Sequence, residues 1–388
     1  MVSMRFSQRA EAVSPFFAME FGRRAAELEA AGHRVVKLNI GEPDFGAPPA
    51  FLRAVREVSD GRALAYTGAL GLTELREAIA RFTDEQFGAP VDPRRVVVTT
   101  GASAALLLSC AALIDPGDEV LVGDPSYPCN RRFAESFGAR VRLLETDPAS
   151  HFQLDAATVA DAWGESTRGV MVASPSNPTG TSLAYDALLD LCEAARERDG
   201  WRIVDEIYLG LADGDRHSVA ADDPGAIVVN SFSKYFGMTG WRLGWAIVPD
   251  EMVPVAERLA QNYYICPPTP AQLAALTCFE PETIAVAEQR REVLRERRRL
   301  VLDGLARIGL SVPTEPDGAF YVYVDVSGTG LTATRFCDRA LAEAQVALTP
   351  GKDFGDAGAE RYVRLSYATS SDDLALGVER LGTFVAAL

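Results

Sequence analysis

The sequence predicts an α/β protein: a large domain with a mainly parallel central sheet, joined to a smaller α+β domain. Three observations lead there. Short apolar runs alternate with helical stretches between residues 50 and 250, several runs end in Gly, Ser, Pro or Asp, and the texture changes after residue 270. At 388 residues the chain also exceeds the roughly 250 to 300 at which one core stops growing. A large domain over 46–280 and a small one from 1–45 with 281–388 are therefore expected.

Taken in order, "VVVTT" (96–100), "EVLVGDP" (119–125), "RGVMVASP" (168–175), "RIVDE" (202–206), "AIVVNSFS" (226–233) and "LGWAIVP" (243–249) read as strands. Their polar ends fall at the edge where open α/β sheets place ligands. Between them, 102–114 and 185–200 have helical apolar spacing, the second stopping at Gly200. A long charged helix over 281–309 follows. Its Arg297 to Arg299 run, interspersed with Glu292 and Glu296, reads as a solvated face. Finally "GAFYVYVDVS" (318–327) and "ERYVRLSYATS" (360–370) alternate like strands of the smaller domain.

The composition, 48% hydrophobic and 24% charged, is that of a globular chain. A net charge of -16 argues against a nucleic-acid or acidic-membrane partner, which needs a basic footprint. No stretch of 18 apolar residues appears, and "MVSMRFSQRA" lacks the apolar core of a signal peptide, so a cytoplasmic protein is expected. Cys110, Cys129, Cys192, Cys266, Cys278 and Cys337 show no C-x-x-C pair and read as small buried residues.

Of 38 basic residues only Lys37, Lys234 and Lys352 are lysine. Lys234 sits in "NSFSKYFGMTGWRLG" among serines, glycines and aromatics. Lysine, unlike arginine, can lose its proton and act as nucleophile or base, so Lys234 is a candidate for amine chemistry. The common alternatives fail. "GALG" at Gly68 to Gly71 lacks the spacing of a dinucleotide loop, "TPGKDFG" around Lys352 is no phosphate loop, and His33, His151 and His217 are scattered. What remains is a set of polar residues at strand ends. "TTGASAAL" offers Gly101, Ala102 and Ser103 at a helix start suited to an anion, although Ser103 also fits a plain N-cap. Asp205 ends an apolar strand and needs a cation, either a structural Arg or a protonated ring nitrogen. Asn177 before Pro178 fits turn chemistry as well. Together with Lys234 they match the needs of pyridoxal phosphate (PLP).

At this point the sequence resembles the class I/II aminotransferases, PLP-dependent enzymes of fold type I. The matching blocks are "NIGEPDF" (39–45), "YTGALGLTELREAIA" (66–80), "VVVTTGASAAL" (96–106), "SPSNPTGT" (174–181), "VDEIY" (204–208), "NSFSKYFGMTGWRLGW" (230–245) and "YVRLSYA" (362–368). The resemblance implies that Lys234 holds PLP covalently and Asp205 pairs the pyridinium nitrogen. It implies that Asn177 and Tyr208 hydrogen-bond the phenolic oxygen, and that Tyr127 stacks on the ring. The phosphate would be held by Ser103, the Gly101 and Ala102 backbone, Ser231, Ser233 and Arg242. Tyr66 would reach the phosphate of a neighbouring subunit, implying a homodimer with shared sites. Arg364 would bind the substrate carboxylate, with Gly41 supplying a backbone group and Asn177 beside it. The implied reaction moves an amino group from an L-amino acid to a 2-oxo acid, 2-oxoglutarate being the expected acceptor, through PLP and pyridoxamine phosphate. A PLP-dependent lyase or synthase is the alternative, and a non-enzymatic binding protein a third. Phe16, Phe17 and Phe21 are candidates for an apolar pocket or for helix contacts, and Cys129 and Asn130 for the neighbourhood of Tyr127.

Overall fold

The computed structural model describes residues 4–13, 15–214 and 216–388, so residues 1–3 and 14 of the expected small domain lie outside the described residues. The strands are β1 (Val36–Lys37), β2 (Val96–Thr99), β3 (Glu119–Asp124), β4 (Arg140–Glu145), β5 (Thr167–Ala173), β6 (Trp201–Asp205), β7 (Ile227–Ser231), β8 (Gly244–Ile247), β9 (Tyr321–Asp325), β10 (Val346–Ala347), β11 (Thr349–Pro350) and β12 (Tyr362–Ser366). Seven of them form one sheet in the order β2-β8-β7-β6-β5-β3-β4. The chain is thus an α/β protein with a mainly parallel central sheet: β8 alone runs antiparallel to its neighbours, β2 and β7.

The apolar runs are explained by burial on both faces. Every residue of β2, β7 and β8 is buried, so these strands read as continuous apolar segments without alternation. Outside this sheet β1, β10 and β11, two residues each, were missed by sequence reasoning, and within it the missed strand is β4. It lies at the sheet edge, where Arg140, Arg142 and Glu145 are in or near solvent, and charges at an edge prevent further pairing. The helix Ala102–Leu113 follows β2 as expected, while Tyr185–Arg196 stops short of Gly200.

β11, β12 and β9 form a second, antiparallel sheet whose register sets Arg364 between Thr349 and Tyr323. The helix Pro281–Arg307 spans 27 residues. Its Arg297 is a correction to the solvated-face reading. Helical spacing puts Arg297 on the buried face with Leu294, Val301 and Leu305, where its guanidinium grips Asp44 at 2.7 and 2.9 Å. Arg298 pairs with Asp213, and of the run only Arg299 is exposed. All six cysteines are free; four are buried, and Cys129 and Cys266 are half-buried.

The strand that carries Asp205 is anchored at its other end by an ion pair. Arg202 on β6 and Asp223, both nearly inaccessible, form a two-pronged pair just ahead of β7. Removing one partner leaves the other charge buried, which costs about 3 to 5 kcal/mol. Asp223→Ala should therefore lower unfolding free energy by that order in urea titrations, and replacing both residues with leucine should recover most of the loss.

Candidate active site

A cavity of about 360 Å³ opens where β5, β6 and β7 end, roofed by residues 40–42 and by Tyr321 and Arg364 of the second sheet. Asp205 terminates β6 and faces this cavity. Its Oδ1 accepts the Ile207 N–H at 3.0 Å, and burial raises its pKa to about 6 against the pull of that bond and of the Lys234 charge. The next residue, Glu206, points the other way. It accepts the Val219 N–H at 2.8 Å, and burial pushes its pKa to about 7.

Lys234 lies in the turn after β7. Its Nζ donates to the Gly41 carbonyl at 2.7 Å and sits 5.9 and 5.8 Å from the ring centres of Tyr208 and Phe320. Burial first, then the positive charges of Arg364 and Arg242, lower its pKa to about 8, with Glu42 and Asp205 opposing. Glu42 is also bonded to the Thr239 hydroxyl across the cavity mouth.

Arg364 is 2% exposed. Its Nη1 donates to Asn177 Oδ1 at 2.9 Å and its Nη2 to the Asn39 carbonyl at 2.6 Å. The guanidinium lies between the rings of Tyr321 and Phe354, 4.6 and 4.8 Å from their centres. Among the described residues its Nε has no partner and no carboxylate pairs with it. Tyr208 and Tyr321 share a hydroxyl–hydroxyl bond of 2.8 Å.

On the opposite wall, Gly101 breaks the path from β2 into its helix with φ +78°, and no side chain caps the helix start. Ser103 is therefore inside the helix, with its hydroxyl side toward the cavity, so the N-cap reading does not apply. The Arg242 guanidinium covers Gly101 so closely that a Cβ there would lie 2.6 Å from Nη2, and Arg242 Nη1 is steadied by Thr239 O at 2.8 Å.

The cavity thus gathers Gly41, Ala102, Ser103, Tyr127, Asn177, Asp205, Tyr208, Ser233, Lys234, Arg242 and Arg364, with Gly101 directly behind Arg242. Ser231 is not brought to it: the hydroxyl is buried and accepts the Ser233 N–H at 3.0 Å, holding the turn. Tyr66 is 78% exposed and outside the cavity of its own chain. Of the aromatic candidates, Phe16 lines the cavity and meets the Tyr127 ring edge-on, whereas Phe21 is core. Tyr321, Glu42 and Asn39 were missed. Tyr321 sits in the visibly alternating "GAFYVYVDVS", but which of its tyrosines faces the cavity depends on the register with β12.

Comparisons with known proteins show the family and the fold. The family model for aminotransferase class I and II matches residues 33–381. A valine–pyruvate aminotransferase of Mycobacterium tuberculosis is 39% identical over 96% of this chain and 97% of its own length. An aspartate/prephenate aminotransferase of Thermus thermophilus is 37% identical, covering 96% and 97%. Among solved structures, an aminotransferase from Mycobacterium tuberculosis superposes with a TM-score of 0.95 at 38% identity over the whole of both chains. The Thermus thermophilus aspartate aminotransferase with maleate gives 0.92 at 35% identity, covering 98% of this chain and 100% of that one.

Because the chain has three lysines, carbon-13 methylation of its amines makes Lys234 resolvable by NMR. Its resonance should titrate near pH 8, ammonium below and free amine above. A midpoint at the ordinary 10.5 would contradict the burial described here.

Proposed function

The chain belongs to the class I and II aminotransferases, and we propose that it moves the amino group of a neutral L-amino acid to a 2-oxo acid, with 2-oxoglutarate as the expected acceptor, through a PLP and pyridoxamine phosphate cycle. One observation carries the reading: a lysine amine of lowered pKa, a buried carboxylate and a buried arginine without a carboxylate partner share one cavity. The walls suit PLP. The uncapped helix start at Ala102 and Ser103, covered by Arg242, suits a phosphate, and a Cβ on Gly101 would strike the Arg242 guanidinium. Asp205 waits for a cation such as a pyridinium nitrogen. Ser103, Ser233 and Arg242 would take the phosphate, Asn177 and Tyr208 the phenolic oxygen, and Tyr127 a ring face. Ser231 would act through the turn it braces.

When bound, PLP supplies an electron sink that lets an amino acid give up its Cα proton. Everything else falls to this chain. Lys234, with a pKa of about 8, exchanges protons near neutrality and so would serve as covalent anchor and as the base that carries the proton from Cα. Asp205 would hold its charge against the cation of the cofactor. Tyr321 fixes the Tyr208 hydroxyl. Arg364 offers its remaining N–H groups to the substrate carboxylate, beside Gly41, with its other donors already committed to Asn177 and Asn39.

The donor class follows from the rest of the lining. Phe16, Met19 and Ile40 make an apolar wall, and the cations of the cavity, Lys234, Arg242 and Arg364, all have tasks. No further cation of this chain, among the described residues, lines the cavity to face an acidic side chain. The valine–pyruvate relative supports a neutral donor, and the aspartate/prephenate relative is the competing model. Exposed Leu64, Tyr66, Tyr263 and Ile265 support a homodimer in which Tyr66 completes the partner's phosphate site. We assign 46–280 to the cofactor-binding domain and 1–45 with 281–388 to the small domain.

Lys234→Ala should abolish turnover while some PLP remains bound. Arg364→Ala should cost about 2 to 5 kcal/mol of substrate binding, read as a raised KM; an unchanged KM would remove the carboxylate assignment. Mixed with donor alone, the holoenzyme should form pyridoxamine phosphate stoichiometrically, with valine or leucine ahead of aspartate. Catalytic loss of a leaving group would point instead to a lyase.

A further inference from the structure

The helix Phe17–Ala30 starts without a cap of its own, because its N-cap residue, Phe16, has no acceptor to offer the free N–H groups. The acceptor comes from the far end of the chain. Asp353, 4% exposed, takes the Phe17 N–H on Oδ1 at 2.9 Å and the Ala18 N–H on Oδ2 at 3.1 Å. A carboxylate at the positive end of a helix, with both oxygens used, is a strong clamp. The clamped turn presents Phe16, Ala18 and Met19 to the cavity.

A second tether runs to the same place. Asn39 Nδ2 donates to the Ala18 carbonyl at 2.8 Å, while the Asn39 carbonyl accepts from Arg364 at 2.6 Å and from Thr349 Oγ1 at 3.0 Å. Thr349 pairs with Arg364 across β11 and β12, and Phe354, next to Asp353, lies against the guanidinium. The apolar wall and the carboxylate-binding arginine are thus fixed to one another through Asp353 and Asn39.

We propose that Asp353 is a specificity-determining positioning residue, which sets the span between the Arg364 guanidinium and the apolar wall and so selects the size of the donor side chain. The inference rests on the reading that Arg364 takes the substrate carboxylate. Asp353 touches no reacting atom; it acts through the backbone of Phe17 and Ala18.

The test uses the holoenzyme and its Asp353→Ala variant. The leucine-to-alanine ratio of kcat/KM should fall about tenfold or more, the scale on which a pocket reads methylenes, while the rate with alanine changes little. Hydrogen exchange supplies a readout free of turnover. In the wild type, 4-methylvalerate, a carboxylate with an apolar tail, should slow exchange of the amides from Phe17 to Ala25. In the variant those amides should exchange faster and gain no protection from the ligand. An equal fall for all donors, or equal ligand protection in both proteins, overturns the proposal. A wild type that binds no carboxylate at all overturns the Arg364 reading instead and takes the proposal with it. Should Asp353→Ala fail to fold, Asp353→Asn, which keeps one acceptor oxygen, should show the same changes at smaller size.

Discussion

The buried guanidinium of Arg364 is the constraint to which the rest of the molecule is fitted. A cation out of water must be satisfied by acceptors, yet acceptors that neutralised it would leave nothing for the substrate anion we propose for it. The chain resolves this with neutral oxygens, from Asn177 after β5 and from Asn39 after β1, and with two aromatic faces, Tyr321 and Phe354. Each comes from a different stretch of sequence. Holding one side chain therefore locks the loop at the end of the large sheet, the segment that roofs the cavity, and the small sheet into a single arrangement.

The same economy of neutralisation runs through the site. Asp205 and Lys234 are both pushed toward their uncharged forms by burial, and neither is fully compensated by the other. Groups poised in this way cost stability, and stability must come from elsewhere. Here it comes from strands buried on both faces and from paired charges such as Arg202 with Asp223 and Arg297 with Asp44, which lie outside the cavity. Arg202 and Arg297 are paired with opposite charges, whereas Arg364 and Asp205 in the cavity are held by neutral groups.

Much of the site was legible in the sequence for a physical reason. A residue that must be one chemical type at one strand end, such as Lys234, Asp205 or Gly101, leaves a local mark, because the strand before it and the turn or helix after it are also local. Ser231 shows where that logic thins: two serines two residues apart carry the same pattern, and only the turn decides that Ser233 faces the cavity while Ser231 braces the backbone. β4 went unseen because an edge strand is allowed charges that a central strand is not.

The sequence by itself determined the fold class, where most strands of the large sheet lie along the chain, and Lys234 and Asp205 as candidates, all of which depend on residue type and near neighbours, while Arg364 was marked by resemblance to a family. Only the tertiary structure decided that Arg297 is buried rather than solvated, that Asp205 and Glu206 face opposite sides, that Tyr321 is the tyrosine under Arg364, and that Asp353 caps a helix 336 residues away. These depend on register and on contacts between distant segments, and a hydrogen bond across that separation leaves no periodic trace in the chain that makes it.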